Sequence, residues 1–253
     1  MHVGTQQFTT SDHDLEYLAR HGVTAKNENN FTFHRNYGWD VEELIERKEK
    51  CAKFGIDMEM VALPVRQLNV DGGEIPNYML GNREEGEKEI DLVCNMIRQA
   101  SEAGIPAVKY FLCEMENQRT ESTPPGRGNS RYSTWNLEKA DDTPRYDEPL
   151  TAEMSWERIT HYLERVVPVA EECKVRMACH PCDPWLPPGF KGVDRVLGGP
   201  EGFRQFIQIK EVGYPHMVVP DHAPTHADSD MHQAWAYEFG YIQAMIQAVT
   251  EID

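Results

Sequence analysis

The sequence predicts an α/β fold of the TIM-barrel type, in which parallel strands alternate with helices. Apolar strand-like runs and amphipathic helical patterns follow one another along the chain, as in a parallel sheet with crossover helices. The length of 253 residues suits one (β/α)₈ barrel. Two strand-like runs also end in ligand-type residues, VRMACHPCDP at 175–184 and MVVPDHAP at 217–224. Barrels carry their chemistry at the C-terminal ends of their strands.

In the first half of the chain, helical patterns end at glycines. The predicted helix Val41–Phe54 has its apolar residues on one face, Asp40 as N-cap and Gly55 as its stop. The helix Glu84–Ala103 is amphipathic in the same way and stops at Gly104. The other elements predicted here are a helix, Asp12–His21, and the strands His2–Gln6, Val23–Lys26, Ile56–Leu63 and Ala107–Cys113.

In the second half, residues 114–151 lack apolar periodicity and are rich in Arg, Thr, Pro, Gly and Asn. A loop of this length in a compact domain is usually functional or disordered. After it the alternation resumes, with Ser155 as the expected cap of the next helix. The predicted elements are helix Ser155–Glu172, strand Val175–Cys179, helix Pro200–Ile209, strand Met217–Val219 and helix Met231–Val249. Residues 1–253 are therefore predicted to form a single domain with about six strands, so the barrel is expected to be incomplete.

The composition excludes several classes of partner. A net charge of −17, from 42 acidic and 25 basic residues, argues against nucleic acid and anionic membranes. No apolar run reaches transmembrane length, and we expect a cytoplasmic protein without a secretory signal. The six cysteines lack scaffold-like spacing, so we expect reduced thiols. No G-x-G-x-x-G or G-K-[ST] motif supports a nucleotide-binding fold.

The residues that end the two strand-like runs are the candidates for chemistry. His180 follows one run, and Asp221 and His222 follow the other. Imidazole and carboxylate together hold divalent metals, and a further histidine can move a proton. The simpler alternatives are a structural histidine at 180, a capping or turn aspartate at 221 and a surface histidine at 222.

These motifs resemble the mannonate dehydratases, within the xylose-isomerase-like TIM barrels. The resemblance runs from about residue 22 to 249 and is carried by VEELIERKEKCAKFGI, ENQRTESTPPGRGNS, RVVPVAEECKVRMACHPCDP, PDHAP and EFGYIQAMIQAV. It implies a lyase of hexuronate catabolism that dehydrates D-mannonate to 2-keto-3-deoxy-D-gluconate. It also implies a divalent metal, usually Mn²⁺, with Fe²⁺, Co²⁺ or Mg²⁺ as the other candidates.

The resemblance assigns roles by position. His180 and Asp221 match metal-binding residues, and His222 matches the histidine that transfers a proton. The family also uses a tyrosine after the Pro-Asp-His motif. Alignment through the closing helix places Trp235 at that position, whereas a small shift places Tyr237 there. Tyr237 is therefore the catalytic candidate that the resemblance implies.

Arginines in the long loop are the candidates for binding a substrate. Arg119 and Arg127, with Arg131 nearby, lie in the segment that resembles the family. A guanidinium can clamp the carboxylate of a small sugar acid through two hydrogen bonds. The alternative is a flexible loop with solvated arginines.

Two departures from the family pattern bear on activity. Cys182 replaces the first of two aspartates that follow His-Pro in the family, whereas Asp183 keeps the second. The chain also lacks about two β/α units near residues 209–210, and those units would supply a Cys and a His to the metal. Of four expected protein ligands only His180 and Asp221 remain, so the resemblance implies weak metal binding.

Two other functions therefore stay open. One is a sugar isomerase or epimerase on the same barrel, and the other is a catalytically impaired, non-enzymatic barrel protein. The missing units also predict open sheet edges with unpaired N–H and C=O groups, which favour association. We accordingly expect a homo-oligomer whose interface covers the region around Ile209–Val219.

Overall fold

The computed structural model describes residues 2–65, 71–206, 217–218 and 231–250. Strands and helices alternate along these residues, as the sequence predicts. The strands are β1 (His2–Thr5), β2 (Ala25–Glu28), β3 (Asp57–Ala62), β4 (Ala107–Phe111), β5 (Glu121–Ser122), β6 (Ser133–Thr134), β7 (Arg176–His180) and β8 (Met217–Val218). The helices are α1 (Asp12–Arg20), α2 (Val41–Ala52), α3 (Asn77–Leu80), α4 (Arg83–Glu102), α5 (Ala152–Cys173), α6 (Pro200–Phe206) and α7 (Met231–Thr250).

Six of these strands form one parallel sheet in the order β7-β4-β3-β2-β1-β8. The predicted TIM-barrel-like fold with about six strands is thereby confirmed. Because β7 and β8 stand at opposite ends of this order, the described strands form a half-barrel and do not close between those two ends. The prediction of a join near residues 209–210 lies outside the described part of the chain.

Side-chain contacts across the sheet show that it is strongly curved. The Lys109 Nζ on β4 donates a hydrogen bond of 2.7 Å to the Gln6 Oε1 just after β1. Those strands are three positions apart, which in a flat sheet is about 14 Å. On the same principle, the His2 Nε2 on β1 lies 2.7 Å from the Glu59 Oε1 on β3, across the intervening strand. The sheet therefore has a polar concave face.

The convex face of the sheet packs against the helices and forms the main core. Its strand residues alternate with the concave set, except on β3, where a register shift opposite Lys26 and Asn27 places both Met58 and Val61 in this core. Helices α1, α2, α4 and α5 contribute one apolar stripe each. Buried members of this core are Val3, Met58, Val61, Val108, Tyr110, Leu15, Leu18, Leu44, Ile90, Val93, Ile97, Ile159 and Val166.

The capping residues explain where two helices begin. The Asp40 carboxylate accepts hydrogen bonds from the main-chain N–H groups of Glu42 and Glu43, which confirms it as the N-cap of α2. The prediction of Ser155 as the cap of α5 is wrong. The helix begins one turn earlier, because the Thr151 hydroxyl accepts the hydrogen bond from the Met154 N–H, and Ser155 is buried within the first turns.

The long segment 114–151 is ordered where the structure describes it. It contains the antiparallel hairpin of β5 and β6 and two short 3₁₀ turns. Its ends pack with the loop after β7 in a second small core made of Met115, Leu150, Leu186, Phe190 and Val193. The apolar residues of this core are too far apart in sequence to produce a helical or strand period, so the pattern did not reveal them.

Within the described residues, no helix has the length and hydropathy that a membrane crossing needs.

Gly86 offers a test of the packing between α3 and α4. A Cβ atom at this position would lie 3.0 Å from the Tyr78 Cα and 3.3 Å from its N. Alanine is the better helix former by about 1 kcal/mol, but we expect the crowding to dominate and Gly86→Ala to lower the free energy of unfolding by about 1–3 kcal/mol. Urea denaturation measures this change.

The matched control is Gly240→Ala in α7, where a Cβ atom would meet nothing within 4 Å. We expect that variant to be equal to or up to about 1 kcal/mol more stable than the unsubstituted protein. Equal stabilisation by both substitutions would contradict the described packing of α3 on α4.

Candidate functional site

The pairing of β4 with β7 brings the first candidate residue into position. The two strands are parallel and in register from Ala107 with Arg176 to Phe111 with His180. The Phe111 and His180 rings are 4.7 Å apart, and the Lys109 Nζ lies 5.6 Å from the Phe111 ring centroid. Because Lys109 and Phe111 share a strand face, His180 lies at the C-terminal edge on the concave side.

The imidazole of His180 has an arrangement suited to metal binding. Its Nδ1 lies 2.6 Å from the main-chain oxygen of Pro181. A neutral histidine that donates Nδ1–H to a carbonyl presents a lone pair on Nε2, the usual state of a metal-binding histidine. Among the described residues, His180 is therefore suited to be one ligand of a divalent metal. The other predicted ligand, Asp221, lies outside them, as does His222.

Asp183 and Arg119 bind one another. The Asp183 Oδ2 accepts a hydrogen bond of 2.7 Å from the Arg119 Nη2, and its Oδ1 accepts one of 3.0 Å from the Asn117 Nδ2. Arg119 thus ties the long loop to the His-Pro-Cys-Asp-Pro segment. Arg127 differs from it, because it lies exposed in the 3₁₀ turn Arg127–Asn129.

The prediction that all cysteines are reduced is wrong for one pair. Cys113, just after β4, and Cys182, just after β7, form a disulfide with their Cα atoms 6.2 Å apart. The register of β4 and β7 places the two thiols together, although 69 positions separate them in sequence. Cys179 stays free, and burial raises the pKa of its thiol to about 12, against the smaller lowering effect of a hydrogen bond with Tyr110. Cys179 and Cys182 are therefore not a redox-active C-x-x-C pair.

Arg195 joins the loops that follow β4 and β7. Its Nη2 donates to the main-chain oxygens of Met115 and Glu116 at 3.1 and 3.2 Å. Its Nη1 donates to those of Asp183 and Pro184, each at 3.3 Å. The two loops are held together at the edge where His180 lies, and sequence reasoning missed this residue.

Buried charges near the same edge were also missed. Lys26 is fully buried on β2, and its Nζ donates to the main-chain oxygens of Gln7 and Phe8 and lies 3.6 Å from the Glu28 Oε2. Glu114, just after β4, is buried, and burial raises the pKa of its carboxyl group despite a hydrogen bond from Ser155. The available signal was a charged residue within a predicted strand, for Lys26, or directly after one, for Glu114.

The structure describes the backbone, but not the side-chain surroundings, of the tyrosine that the family resemblance implies as catalytic. Tyr237 lies on α7, and the described part of the structure does not extend to its side-chain surroundings. Trp235, the residue given by the unshifted alignment, is buried with its ring 6.0 Å from that of Phe239 and 6.5 Å from that of Phe8. Trp235 is therefore a core residue.

Comparison with known proteins places the chain beside one family. The family model described as D-mannonate dehydratase (UxuA) matches residues 134–237, which include both segments that carry the predicted metal ligands. A mannonate dehydratase of Streptococcus pneumoniae (strain 70585) is 24% identical over 192 residues, 68% of this chain and 51% of the relative. One of Thermotoga petrophila is 25% identical over 209 residues, 70% of this chain and 55% of the relative.

The fold agrees with that relationship. The crystal structure of mannonate dehydratase from Streptococcus suis serotype 2 superposes with a TM-score of 0.67 at 22% identity, over 84% of this chain and 60% of that chain. The resemblance to the mannonate dehydratases is therefore confirmed. The chain spans about half the length of the curated relatives that it matches.

The disulfide can be tested by counting thiols. In denaturant without reductant, we expect four reactive thiols among the six cysteines, those of Cys51, Cys94, Cys173 and Cys179. Reduction should raise the count to six and lower the free energy of unfolding by about 2–4 kcal/mol, because a long loop is released in the unfolded chain.

Two variants control this count. Cys94→Ala should leave three reactive thiols and the same sensitivity to reductant, whereas Cys182→Ala should leave five and remove that sensitivity. Six reactive thiols in air-exposed protein before reduction would show that the disulfide does not form.

Proposed function

We propose that this relative of the mannonate dehydratases catalyses the metal-dependent dehydration of a sugar acid, D-mannonate to 2-keto-3-deoxy-D-gluconate. The observation that carries the proposal is the family match over residues 134–237, which spans His180, Asp221 and His222. The position of His180 at the C-terminal edge of the sheet supports it, because that edge is where this fold places its chemistry.

In the proposed site His180 and Asp221 hold a divalent metal, with Mn²⁺ as the first candidate and Fe²⁺, Co²⁺ or Mg²⁺ as the others. Such an ion, when bound, supplies polarisation of the sugar-acid oxygens and lowers the cost of an enediolate-like intermediate. Arg119 and Arg127 are the proposed partners of the substrate carboxylate. Arg119 would have to exchange its ion pair with Asp183 for that role, so Arg127 is the more accessible of the two.

The proposed reaction is an acid–base elimination of water. A base removes the proton on the carbon next to the carboxylate, and an acid protonates the hydroxyl that leaves the adjacent carbon. The resulting enol takes up a proton at the carbon that lost the hydroxyl and becomes the 2-keto product. His222 serves as one of the two proton-transfer groups, and Tyr237 is the proposed second.

A non-enzymatic role is the second candidate. It is supported by the sheet order, which leaves β7 and β8 at opposite ends of an open half-barrel. A half-barrel surrounds a substrate on fewer sides than a closed barrel, so water exclusion and positioning are weaker.

We also propose a cytoplasmic location, although a disulfide between Cys113 and Cys182 is more typical of an oxidising compartment.

The proposed dehydration is tested with D-mannonate and Mn²⁺. We expect formation of the 2-keto product, and a loss of at least about 100-fold in kcat in His222→Asn, because one proton-transfer group contributes about 10²–10⁴-fold.

Metal binding is tested by a second variant. His180→Asn should raise the Mn²⁺ concentration needed for half-maximal rate. With only two of four family ligands, the Mn²⁺ should be lost on dialysis.

His161→Asn is the matched control, because His161 is an exposed histidine that pairs with Glu87 on the outer helices. It should keep the original rate and Mn²⁺ dependence. No turnover by the folded protein at any Mn²⁺ concentration would favour the non-enzymatic role. Undiminished turnover by His222→Asn would exclude the proposed mechanism.

The homo-oligomer expected from the missing units remains a prediction, since its proposed interface around Ile209–Val219 is largely outside the described residues. The open sheet order supports it, because an unpaired parallel edge favours association. Analytical ultracentrifugation at micromolar concentration should show a dimer or larger species. A soluble monomer under those conditions would contradict the prediction.

A further inference from the structure

Three metal-ligating side chains meet between the first turns of α1 and α7. His13 and Asp14 lie on α1, and His232 lies on α7. Their potential ligand atoms all lie within 4.8 Å of one another, and among the described residues this is the one such group of three. None of the three is a residue of the proposed dehydratase site. The strands β1 and β8 are hydrogen-bonded neighbours, and α7 packs on β1.

The distances in this group approach those of a metal site. The His13 Nδ1 lies 3.4 Å from the Asp14 Oδ1, and the His232 Nε2 lies 3.7 Å from the same oxygen. Ligand bonds of about 2.0–2.1 Å at tetrahedral angles place two ligand atoms about 3.3–3.5 Å apart. Small side-chain rotations would therefore bring all three atoms onto one ion.

The carboxylate of Asp14 is held with one oxygen toward the imidazoles. Its Oδ2 accepts hydrogen bonds from the Thr9 N–H at 2.9 Å and the Thr9 hydroxyl at 2.5 Å. The Asp14 N–H donates to the Ser11 hydroxyl, which caps α1. Partial burial works against the charged form, but the hydrogen bonds from Thr9 and His13 outweigh it, so the pKa of Asp14 is lowered. Hydrogen-bonded carboxylates of this kind are typical of oriented metal ligands.

The His232 ring is held by aromatic neighbours. Its centroid lies 4.4 Å from that of Tyr17 in an edge-on arrangement and 5.0 Å from that of Phe8. The Tyr17 hydroxyl also donates a hydrogen bond to the main-chain oxygen of His232. His13 differs, because its side chain is 79% exposed. One ligand is thus accessible to solvent, which gives an ion an entry path, while the other two are held in place.

We infer that His13, Asp14 and His232 bind a first-row transition-metal dication such as Zn²⁺. Two imidazoles and one carboxylate are ligands that suit Zn²⁺, Co²⁺ or Fe²⁺, whereas Mg²⁺ and Ca²⁺ favour oxygen ligands. Three protein ligands leave a coordination position for water. The bound ion connects α7 to α1. Because α7 follows β8, the last strand in the described sheet order, and α1 follows the neighbouring strand β1, the ion stabilises this edge of the half-barrel.

The experiment uses the full chain without a polyhistidine tag, stripped of metal with a chelator. Zn²⁺ is titrated by calorimetry, and Co²⁺ by its visible absorption. We expect one Zn²⁺ per chain at this site and a rise in Tm with Zn²⁺ concentration, because an ion that binds the native state stabilises it. His13→Ala should weaken Zn²⁺ binding by at least about tenfold, since even the loss of a supporting residue costs about 10–100-fold.

His13→Ala is the informative variant, because His13 is exposed. Its loss removes one edge-on ring contact of His232, at 5.6 Å, but keeps the contacts of that ring with Tyr17 and Phe8. Asp14→Asn should weaken binding similarly, and thermal melts without metal show whether that variant remains folded. His161→Ala is the matched control for an exposed histidine in an ion pair, and it should bind Zn²⁺ like the unsubstituted protein.

Asp221→Asn separates this site from the proposed dehydratase site, and it should leave Zn²⁺ binding and the Co²⁺ spectrum unchanged. Loss of the Co²⁺ spectrum in Asp221→Asn but not in His13→Ala would place the ion in the dehydratase site and overturn the inference. Equal Zn²⁺ affinity of His13→Ala and the unsubstituted protein, or no Zn²⁺ binding by either, would also overturn it and leave a hydrogen-bonded His–Asp–His group.

Discussion

The five-residue parallel pairing of β4 with β7 is the constraint on which the candidate site depends. It places His180 beside Phe111 and brings the two following loops to the same edge. There the Cys113–Cys182 disulfide and the hydrogen bonds of Arg195 join those loops. A shift of one residue in this register would move His180 to the convex face, because side chains alternate along a strand. The position of the imidazole that is predicted to bind a metal thus follows from backbone pairing and not from its own loop.

The alternation of apolar strands and amphipathic helices predicted the fold because both signals are local. The N-cap of α2 was likewise predictable, from Asp40, whereas the helix ends at Ala52, two residues before the predicted end at Phe54. Contacts between residues far apart in sequence were not, because they follow from the curvature and register of the sheet. The Lys109–Gln6 hydrogen bond, the Arg119–Asp183 ion pair and the four carbonyl contacts of Arg195 belong to this class. The roles of Asp221, His222 and Tyr237 still rest on the family resemblance.

In the part of the chain that the structure describes, the sheet is an open half-barrel, and this changes how its concave face is used. In a closed barrel the inward side chains pack in layers against those of the opposite strands. Here some of the inward polar groups contact one another within the sheet, as in the pairs His2–Glu59 and Lys109–Gln6. Such internal pairing lowers the cost of an open interior, because a buried or half-buried charge is tolerated when it has a partner.

The two candidate metal centres depend on different elements of the fold. The first is proposed to act in catalysis, and the second is proposed to stabilise the fold. The proposed site at His180 depends on the β4–β7 pairing, and its proposed second ligand, Asp221, follows β8 in sequence, at the other end of the sheet order. His13, Asp14 and His232 depend on α1 and α7, which pack on the adjacent strands β1 and β8. An ion between those helices would restrain the β8 edge and, through it, the segment that carries Asp221 and His222. Stabilising that edge would reduce the entropic cost of forming the proposed dehydratase site without contributing a ligand to it.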